Sequence, residues 1–311
     1  MTRYTWVLTG TITALVVLAA TVLFTLTLTG GSTRWVGGPA APDASGPGGS
    51  VPSPGTSPCA SASASPSASP SRGASTGPRP ARWIPKPATP WQWQLTTPVD
   101  QSVNVPIYDI DGFSNDASVV RALHAKGRKV ICYIEVGAAE DYRPDYHMWP
   151  AAVLGKPNGW PGERYLDIRQ QSLLAPILTK RFDMCRDKGF DGVEPDIMES
   201  YPEDTGFPIT AADQLTFNRY VARLAHDRGM SVALKNDVDQ VGQLVGDFDF
   251  SVDEECFEFS ECARLSPFVS AGKAVLHVEY ASGTAFCATT GPLRFSSMRK
   301  NKGLDAARWP C

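Results

Sequence analysis

The octapeptide G-F-D-G-V-E-P-D, residues 189–196, combines a short apolar run typical of a buried strand with three carboxylates. Burial of an ionised carboxylate without a partner costs several kcal/mol, so such a strand is expected only where its acids emerge at the end. Because side chains alternate along a strand, Glu194 and Asp196 project to one side and Asp191 to the other. We therefore expect Glu194 and Asp196 at a functional strand end and Asp191 in a structural contact.

Seven other apolar runs resemble this one and are separated by helix-like stretches: residues 91–95, 105–111, 129–137, 164–168, 230–237, 248–255 and 274–280. Three of the predicted helices end at a glycine suited to the left-handed position that terminates a helix, namely Gly127, Gly189 and Gly229. Alternation of strand and helix predicts a parallel sheet. Eight units in residues 83–311 favour an α/β fold of the (β/α)₈ TIM-barrel type over an open doubly wound sheet, and the chain has no G-x-G-x-x-G loop.

Acidic residues recur where the predicted strands end. In a barrel of this type the active site is built at the carboxyl ends of the strands, so these acids are expected to form a ring at its mouth. For any one of them alone, a structural salt bridge or a loop hydrogen bond is the alternative. The set is Asp109, Asp111, Glu135, Asp167, Glu194, Asp196, Asp237, Glu254 and Glu279.

A carboxylate-lined mouth suits two kinds of chemistry. One is glycoside hydrolysis by paired acids, and the other is a divalent-metal site with oxygen ligands. Tryptophan and tyrosine residues near the predicted mouth favour a sugar, although core packing is the alternative for them, and we expect Tyr133 to contact the substrate. These aromatic residues are Trp91, Trp93, Tyr108, Tyr133, Trp149, Trp160 and Tyr280.

The first 82 residues differ from the rest of the chain. Thr5–Thr29 carries no charge and is long enough to cross a bilayer, and we favour an uncleaved signal anchor over a cleaved signal peptide. Residues 30–82 are rich in Pro, Ser, Ala and Gly, which predicts a disordered linker. Residues 83–311 would then form the catalytic domain on the extracellular side of the membrane, or be secreted if the segment is removed.

Composition and charge limit the kinds of partner and cofactor that we expect. The net charge is -3 and the chain has no basic patch, so nucleic acid is not expected, and we expect a monomer without a cofactor. Zinc is not expected because no C-x-x-C occurs. In an exported protein the cysteines are expected to pair. The predicted disulfides are Cys256–Cys262 and Cys287–Cys311, with Cys59 unpaired and Cys132 either a buried thiol or bonded to Cys185.

A series of motifs gives the chain a specific resemblance. In order they are W-Q-W-Q-L, Y-D-I-D, V-I-C-Y-I, Y-L-D-I, G-F-D-G-V-E-P-D, T-G-F, D-Q-L-x-F-N, L-K-N-D, E-E-C-F-E-F-S-E-C and G-K-A-V-L-H-V-E-Y. Together they resemble glycoside hydrolase family 114, the endo-α-1,4-polygalactosaminidases, over residues 89–311. The chain differs from the common family pattern at Ile197, where the family has Asn, and in D-E-E-C (253–256), where the family has N-E-Q-C.

The resemblance implies a (β/α)₈ barrel that cleaves internal α-1,4 bonds of galactosamine polymers with retention of configuration. It implies that Asp196 and Glu254 are the catalytic acids. It also implies that seven further residues line the cleft: Asp109, Asp111, Glu194, Lys235, Asn236, Asp237 and Glu279. Galactosamine with a free amine is a cation, and an acid-lined cleft would attract it locally.

Two other functions stay open at this point. One is a non-catalytic carbohydrate-binding module on the same barrel, which would tolerate the loss of an acid. The presence of both Asp196 and Glu254 argues against it. The other is a different reaction on the same fold, since fold does not fix function.

Overall fold

The computed structural model describes residues 82–311. The predicted membrane segment, almost all of the predicted linker and Cys59 lie outside these residues. Within residues 82–311, no helix has both the length and the hydropathy needed to cross a bilayer.

The described part of the chain contains twelve strands and six α-helices. The strands are β1 (Trp91–Gln94), β2 (Ile107–Asp111), β3 (Lys129–Glu135), β4 (Ala138–Glu140), β5 (Leu154–Pro157), β6 (Glu163–Leu166), β7 (Gly192–Asp196), β8 (Ser231–Lys235), β9 (Phe250–Glu254), β10 (Val275–Glu279), β11 (Ser296–Arg299) and β12 (Trp309–Pro310). The helices are α1 (Ala117–Ala125), α2 (Gln171–Lys188), α3 (Ala211–His226), α4 (Val241–Leu244), α5 (Ser266–Ser270) and α6 (Cys287–Thr290).

Nine of these strands form one sheet in the order β1-β2-β3-β7-β8-β9-β10-β11-β12. The first eight are parallel, and β12 is antiparallel to β11. The protein therefore has an α/β fold with a curled parallel sheet, consistent with a barrel of the TIM type. Seven of the eight predicted strands belong to this sheet.

The eighth prediction was wrong. The run 164–168 contains β6, which pairs with β4 and β5 in a separate antiparallel sheet. The eighth parallel strand is β11, whose sequence S-S-M-R has Met298 as its one large apolar residue. Because β11 is short and polar, no hydrophobic pattern marks it as a strand.

The two faces of the main sheet bury different residues. The outer face packs against the helices, and the inner face forms a second apolar cluster. Seven of the eight parallel strands, all except β7, contribute inward-facing residues to this cluster: Trp91 and Trp93, Ile107, Ile131, Ala233, Phe250 and Val252, Leu276 and Val278, and Met298. Continuing each alternation shows which polar residues at the strand ends face inward.

The C-terminal segment connects the first and eighth parallel strands. The Trp91 indole N–H on β1 donates to the carbonyl of Ser296 on β11 at 2.7 Å. The Gln92 amide donates to the carbonyl of Ala306 at 2.8 Å, and Arg308 donates to the carbonyl of Trp91 at 3.0 Å. These contacts link the two edges of the curled sheet.

Local sequence signals set the position of β7. Helix α2 ends at Gly189, whose φ of 90° lies in the left-handed region, as the sequence predicted. Asp191, at the amino end of the strand, accepts hydrogen bonds from Lys129 at 2.6 Å and from the backbone N–H of Val130 at 2.9 Å. The structural contact expected of Asp191 is therefore confirmed.

Three disulfides occur in residues 82–311. The structure pairs Cys256 with Cys262 and Cys287 with Cys311, as the sequence predicted. The third joins Cys132 on β3 to Cys185 on α2, which decides between the two alternatives for Cys132. Its closed loop spans 53 residues, and loop-closure entropy predicts a stabilisation of about 4 kcal/mol.

Candidate active site

Three inner side chains meet at the carboxyl ends of β7, β8 and β9. The Lys235 ammonium lies 2.8 Å from Asp196 Oδ1 and 2.9 Å from Glu254 Oε2. The lysine side chain is 2% exposed, whereas the Asp196 and Glu254 side chains are 16% and 22% exposed. One buried cation thus lies between two carboxylates that a ligand can reach.

Asp196 accepts hydrogen bonds from several directions. Its Oδ1 accepts from Lys235 and, at 2.8 Å, from the backbone N–H of Ile197, while Oδ2 accepts from the Tyr133 hydroxyl at 2.7 Å. Burial acts to raise the pKa of Asp196, but the Lys235 charge and these hydrogen bonds outweigh it and hold the pKa below its ordinary value. Asp196 is therefore a carboxylate at neutral pH.

Glu254 has two side-chain contacts and one backbone contact that position it. Its Oε1 accepts a short hydrogen bond from the Tyr280 hydroxyl, and its Oε2 contacts Lys235. The side-chain oxygen of Asn236 accepts from the Glu254 backbone N–H at 3.0 Å. Tyr133 and Tyr280, both among the predicted aromatic residues, therefore each donate to one of the two carboxylates.

The backbone turns sharply just beyond each of these strands. Ile197, Asn236, Asp237 and Glu255 have φ between 47° and 64°, in the left-handed region that non-glycine residues rarely adopt. The cost is roughly 1–2 kcal/mol for Ile197 and Glu255 and smaller for Asn236 and Asp237, whose short polar side chains suit this region. Strain of this kind is typical of functional sites, and here it directs the Asn236 side chain to the backbone of Glu254.

Asp109 and Glu194 lie deeper on the inner face and are fully buried. Their carboxyl groups contact each other, and Lys235 Nζ lies 3.5 Å from Glu194 Oε1. Burial raises the pKa of Asp109 to about 7, and burial together with the Asp109 charge raises the pKa of Glu194 well above its ordinary value. Neither residue is exposed to contact a substrate, although the resemblance placed both in the cleft.

Asp111 faces inward but is already paired. Arg143 donates to its two oxygens at 3.1 and 2.6 Å, and Ser114 donates to Oδ1 from both its backbone N–H and its hydroxyl. Burial opposes ionisation, but these contacts hold the pKa of Asp111 below its ordinary value. Arg143 also contacts Glu140, so Asp111 links β2 to the start of the small antiparallel sheet.

Two other predicted cleft residues face away from the cluster. Asp237 accepts a hydrogen bond from Asn218 of α3 at 2.8 Å, and its backbone N–H donates to Glu199. Glu279 lies on the outer face of β10, where Oε1 is 2.8 Å from His277 Nε2 and accepts from the backbone N–H of Phe257 at 2.8 Å. Both side chains are fully buried. The structure therefore does not bring Asp237 or Glu279 to Asp196 and Glu254.

Two further acids lie close enough to influence Asp196. Glu135 ends β3 opposite Asp196 in the register, and its Oε1 accepts from three successive backbone N–H groups at 3.0 Å. Burial raises its pKa, and the Asp196 charge raises it further. Glu163, on β6, accepts from Tyr142 and Asn158 at 2.9 Å. The sequence placed Glu135 in the ring of acids, but it did not indicate Glu163, because β6 was assigned to the barrel.

The charges around the cluster are predominantly negative. Asp196, Glu254 and the Asp109–Glu194 pair surround one lysine, and Glu135 and Glu163 lie close to Asp196. Lys235 already supplies the positive charge between Asp196 and Glu254, which favours carboxylate chemistry over a metal site at this position. In the described chain, Cys256, Cys262 and His277 come within 4.8 Å of one another, but the two sulfurs are joined as a disulfide.

A curled parallel α/β sheet with two reachable carboxylates at its carboxyl end is the arrangement of a barrel-type glycoside hydrolase. Comparison with known proteins identifies the family. Residues 73–311 match the model of glycoside-hydrolase family GH114, and the chain belongs to that family. The glycosidase expected from the sequence motifs is thereby confirmed at the level of the family.

Solved structures and one curated relative agree with this assignment. Ega3 from Aspergillus fumigatus, solved in complex with galactosamine, is 38% identical with a TM-score of 0.70, over 74% of this chain and 98% of Ega3. The glycoside hydrolase domain of PelA from Pseudomonas aeruginosa is 13% identical with a TM-score of 0.56, over 71% of this chain and 98% of that domain, and shows the fold alone. An uncharacterised protein of Deinococcus radiodurans is 30% identical over an alignment of 216 residues that covers 61% of this chain and 68% of that protein.

Proposed function

We propose that this protein is a retaining endo-hydrolase that cleaves α-1,4 bonds in galactosamine-containing polysaccharide, with Asp196 as nucleophile and Glu254 as acid and base. The observation that carries this proposal is the single ammonium group of Lys235 in contact with both acids. This shared contact sets an upper limit on the distance between the two acids. That distance distinguishes a retaining from an inverting mechanism.

The limit follows from two distances. Asp196 Oδ1 and Glu254 Oε2 lie 2.8 and 2.9 Å from Lys235 Nζ, so they are at most 5.7 Å apart, the sum of the two contacts. Retaining enzymes hold their two carboxyl groups about 5–5.5 Å apart, whereas inverting enzymes leave roughly 6.5–9.5 Å to admit a water molecule. The shared lysine therefore supports retention.

The contacts also support a division of roles. Asp196 receives three hydrogen bonds and has a lowered pKa, which suits a group that must be ionised when it attacks. Glu254 is the more exposed of the two and has the longer side chain, so it can reach a leaving oxygen at the mouth. We assign the nucleophile to Asp196 and the proton transfers to Glu254.

The reaction proceeds in two displacements. Asp196 attacks the anomeric carbon while protonated Glu254 donates its proton to the departing glycosidic oxygen, which leaves a glycosyl ester on Asp196. Glu254, now a carboxylate, takes a proton from water, and the resulting hydroxide attacks the anomeric carbon and releases Asp196. Each displacement inverts the configuration, so the product keeps the original one.

The polymer is inferred from charge and from the relatives. Ega3, at 38% identity, was crystallised with galactosamine. The acids around Asp196 outnumber the one lysine, so the cleft is locally negative although the chain as a whole has a net charge of only -3. A sugar with a free amine is a cation, and a negative cleft attracts it. We therefore propose a deacetylated or partly deacetylated substrate.

Conservative variants test the catalytic pair. Asp196→Asn and Glu254→Gln should each lower turnover by at least about 10³-fold on galactosamine polymer, measured as reducing ends released, while the polymer still binds. External azide should rescue Asp196→Asn and form a glycosyl azide of inverted configuration. Asp191→Asn, at the opposite end of β7, is the control and should retain turnover. Near-normal turnover by both active-site variants would contradict the assignment.

We further propose that the protein is a monomer held at the extracellular side of the membrane by residues 5–29. The support is the uncharged sequence of that segment and the Pro- and Ser-rich stretch that follows it. Fractionation of cells that express the whole chain tests this localisation. Recovery of the full-length chain in the membrane fraction is expected, and complete processing to a soluble product would favour a cleaved signal peptide.

A further inference from the structure

We propose that Asp109 and Glu194 are positioning residues that hold one proton between them and thereby keep the Lys235 ammonium between Asp196 and Glu254. This inference rests on the proposed function, because it concerns how that site keeps its charge arrangement. It assigns to the two buried acids a role that does not require contact with the polymer.

The first support is the isolation of the pair. Asp109 on β2 and Glu194 on β7 are fully buried on the inner face. Among residues 82–311, no N–H or O–H group of another residue makes a hydrogen bond to any of their four carboxyl oxygens. Lys235 Nζ, 3.5 Å from Glu194 Oε1, is the nearest recorded cation. The two carboxyl groups are in hydrogen-bond contact with each other instead.

The second support is chemical. Two carboxylates cannot form a hydrogen bond with each other, so the contact requires that one of them carries a proton. Like charges side by side in a buried site also disfavour double ionisation. Burial raises the pKa of both groups, so one of them keeps a proton. The pair therefore carries one negative charge at neutral pH.

The third support is the position of Lys235 relative to the acids and the aromatic ring around it. Asp196 and Glu254 lie on its cleft side, the pair lies below it, and the Trp93 ring lies beside it with its centroid 5.3 Å from Nζ. In each displacement one of Asp196 and Glu254 carries a negative charge, so with one proton on the pair the ammonium is attracted by one charge toward the cleft and by one downward. Loss of that proton adds a second negative charge below the ammonium and weakens its contacts to Asp196 and Glu254.

The first experiment needs no substrate. Infrared difference spectra between neutral and alkaline pH should show a protonated carboxyl group in the wild type that disappears as the pH rises. Burial also raises the pKa of Glu135, so that residue can contribute to this band in every variant and the comparison is between variants. Glu194→Gln keeps a hydrogen-bond donor but has no carboxyl proton, so its spectrum should lack one component of the wild-type band. Asp109→Asn should lack the same component and serves if Glu194→Gln does not fold, whereas Asp191→Asn should keep the full band. Identical bands in the wild type and in both pair variants would overturn the proposal.

The second experiment is the pH dependence of turnover on galactosamine polymer. Glu254 must also keep its proton to act as the acid, and the positioning role predicts that the pair loses its proton first. The wild type should therefore lose turnover on the alkaline side as the pair ionises. In Glu194→Gln the alkaline limb should move up by about one pH unit or more, whereas Asp191→Asn should follow the wild-type profile. An alkaline limb that does not move would overturn the positioning role. If the wild type cleaves no galactosamine polymer, the proposed function fails, and the infrared experiment still decides whether the pair holds a proton.

Discussion

Glu254 and Glu279 lie at the carboxyl ends of neighbouring strands, β9 and β10, yet they face opposite sides of the sheet. Glu254 faces inward, is 22% exposed and contacts Lys235 and Tyr280. Glu279 faces outward, is fully buried and contacts His277 and the backbone of Phe257. An acid at a strand end can thus belong to the active site or to the structural contacts that support the site. The face of the strand decides which role the acid has.

Among the residues that support the two acids, replacement of the central cation should have the largest effect. Lys235→Met removes the ammonium but keeps most of the volume, and turnover should fall by about 10²–10³-fold. The Lys235 charge holds the pKa of Asp196 down while burial acts to raise it. Without that charge the acid limb of the pH profile should therefore move to higher pH, because Asp196 takes up its proton earlier as the pH falls. The measurement is kcat/KM against pH.

Lys300→Met is the matched control for this change. Lys300 is also buried, at 1% exposed, but it donates to the carbonyl of Asp305 at 2.6 Å and lies at the end of β11. Its replacement should affect stability and leave the acid limb in place. Equal effects of the two substitutions on the pH profile would mean that Lys235 has no special electrostatic role.

A smaller effect is expected at the tyrosine that contacts Glu254. Tyr280→Phe removes the hydroxyl donor to Glu254 and should lower turnover by about tenfold, since hydrogen bonds to charged groups contribute roughly 1.5–3 kcal/mol. Tyr108→Phe is the outer-face counterpart, because the Tyr108 hydroxyl donates to the carbonyls of Asp100 and Val103. It should lower the free energy of unfolding with turnover unchanged. A reversal of these two outcomes would contradict the division between the faces.

Little effect on turnover is expected at Glu279. Glu279→Gln weakens its contact with His277 and should lower the free energy of unfolding by about 1–3 kcal/mol. Turnover should stay within about threefold of the wild type, because the side chain does not face the cleft. Urea unfolding and steady-state kinetics measure both quantities. A large loss of turnover in a stable variant would mean that Glu279 belongs to the active site.

The sequence predicted most of the sheet because strands buried on both faces read as apolar runs. Seven such runs belong to the main sheet, whereas β11 is too polar to be recognised and β6 resembles a barrel strand without being one. Alternation with apolar residues selected the acids of β7, whereas Glu254 was predicted from its position at the end of a strand and from the family motifs. The same alternation, followed through Leu276 and Val278, would have selected Tyr280 in place of Glu279.

Other features of the site depend on three-dimensional contacts that no local pattern records. At Asn236 and Asp237 two successive left-handed residues interrupt the alternation, which turns Asp237 toward α3. Asp109 and Glu194 are buried because other inward-facing residues lie between them and the cleft. Glu163 reaches the vicinity of Asp196 from the small antiparallel sheet, and its place in the sequence gives no sign of that proximity.

The configuration of the first product tests the central claim most directly. Proton NMR of a galactosamine polymer digest, recorded before mutarotation, shows which anomer forms at the new reducing ends. A retaining pair bridged by Lys235 predicts that the α-anomer appears first and then equilibrates with the β-anomer. Initial formation of the β-anomer would contradict the assignment of Asp196 as nucleophile with Glu254 as its acid and base.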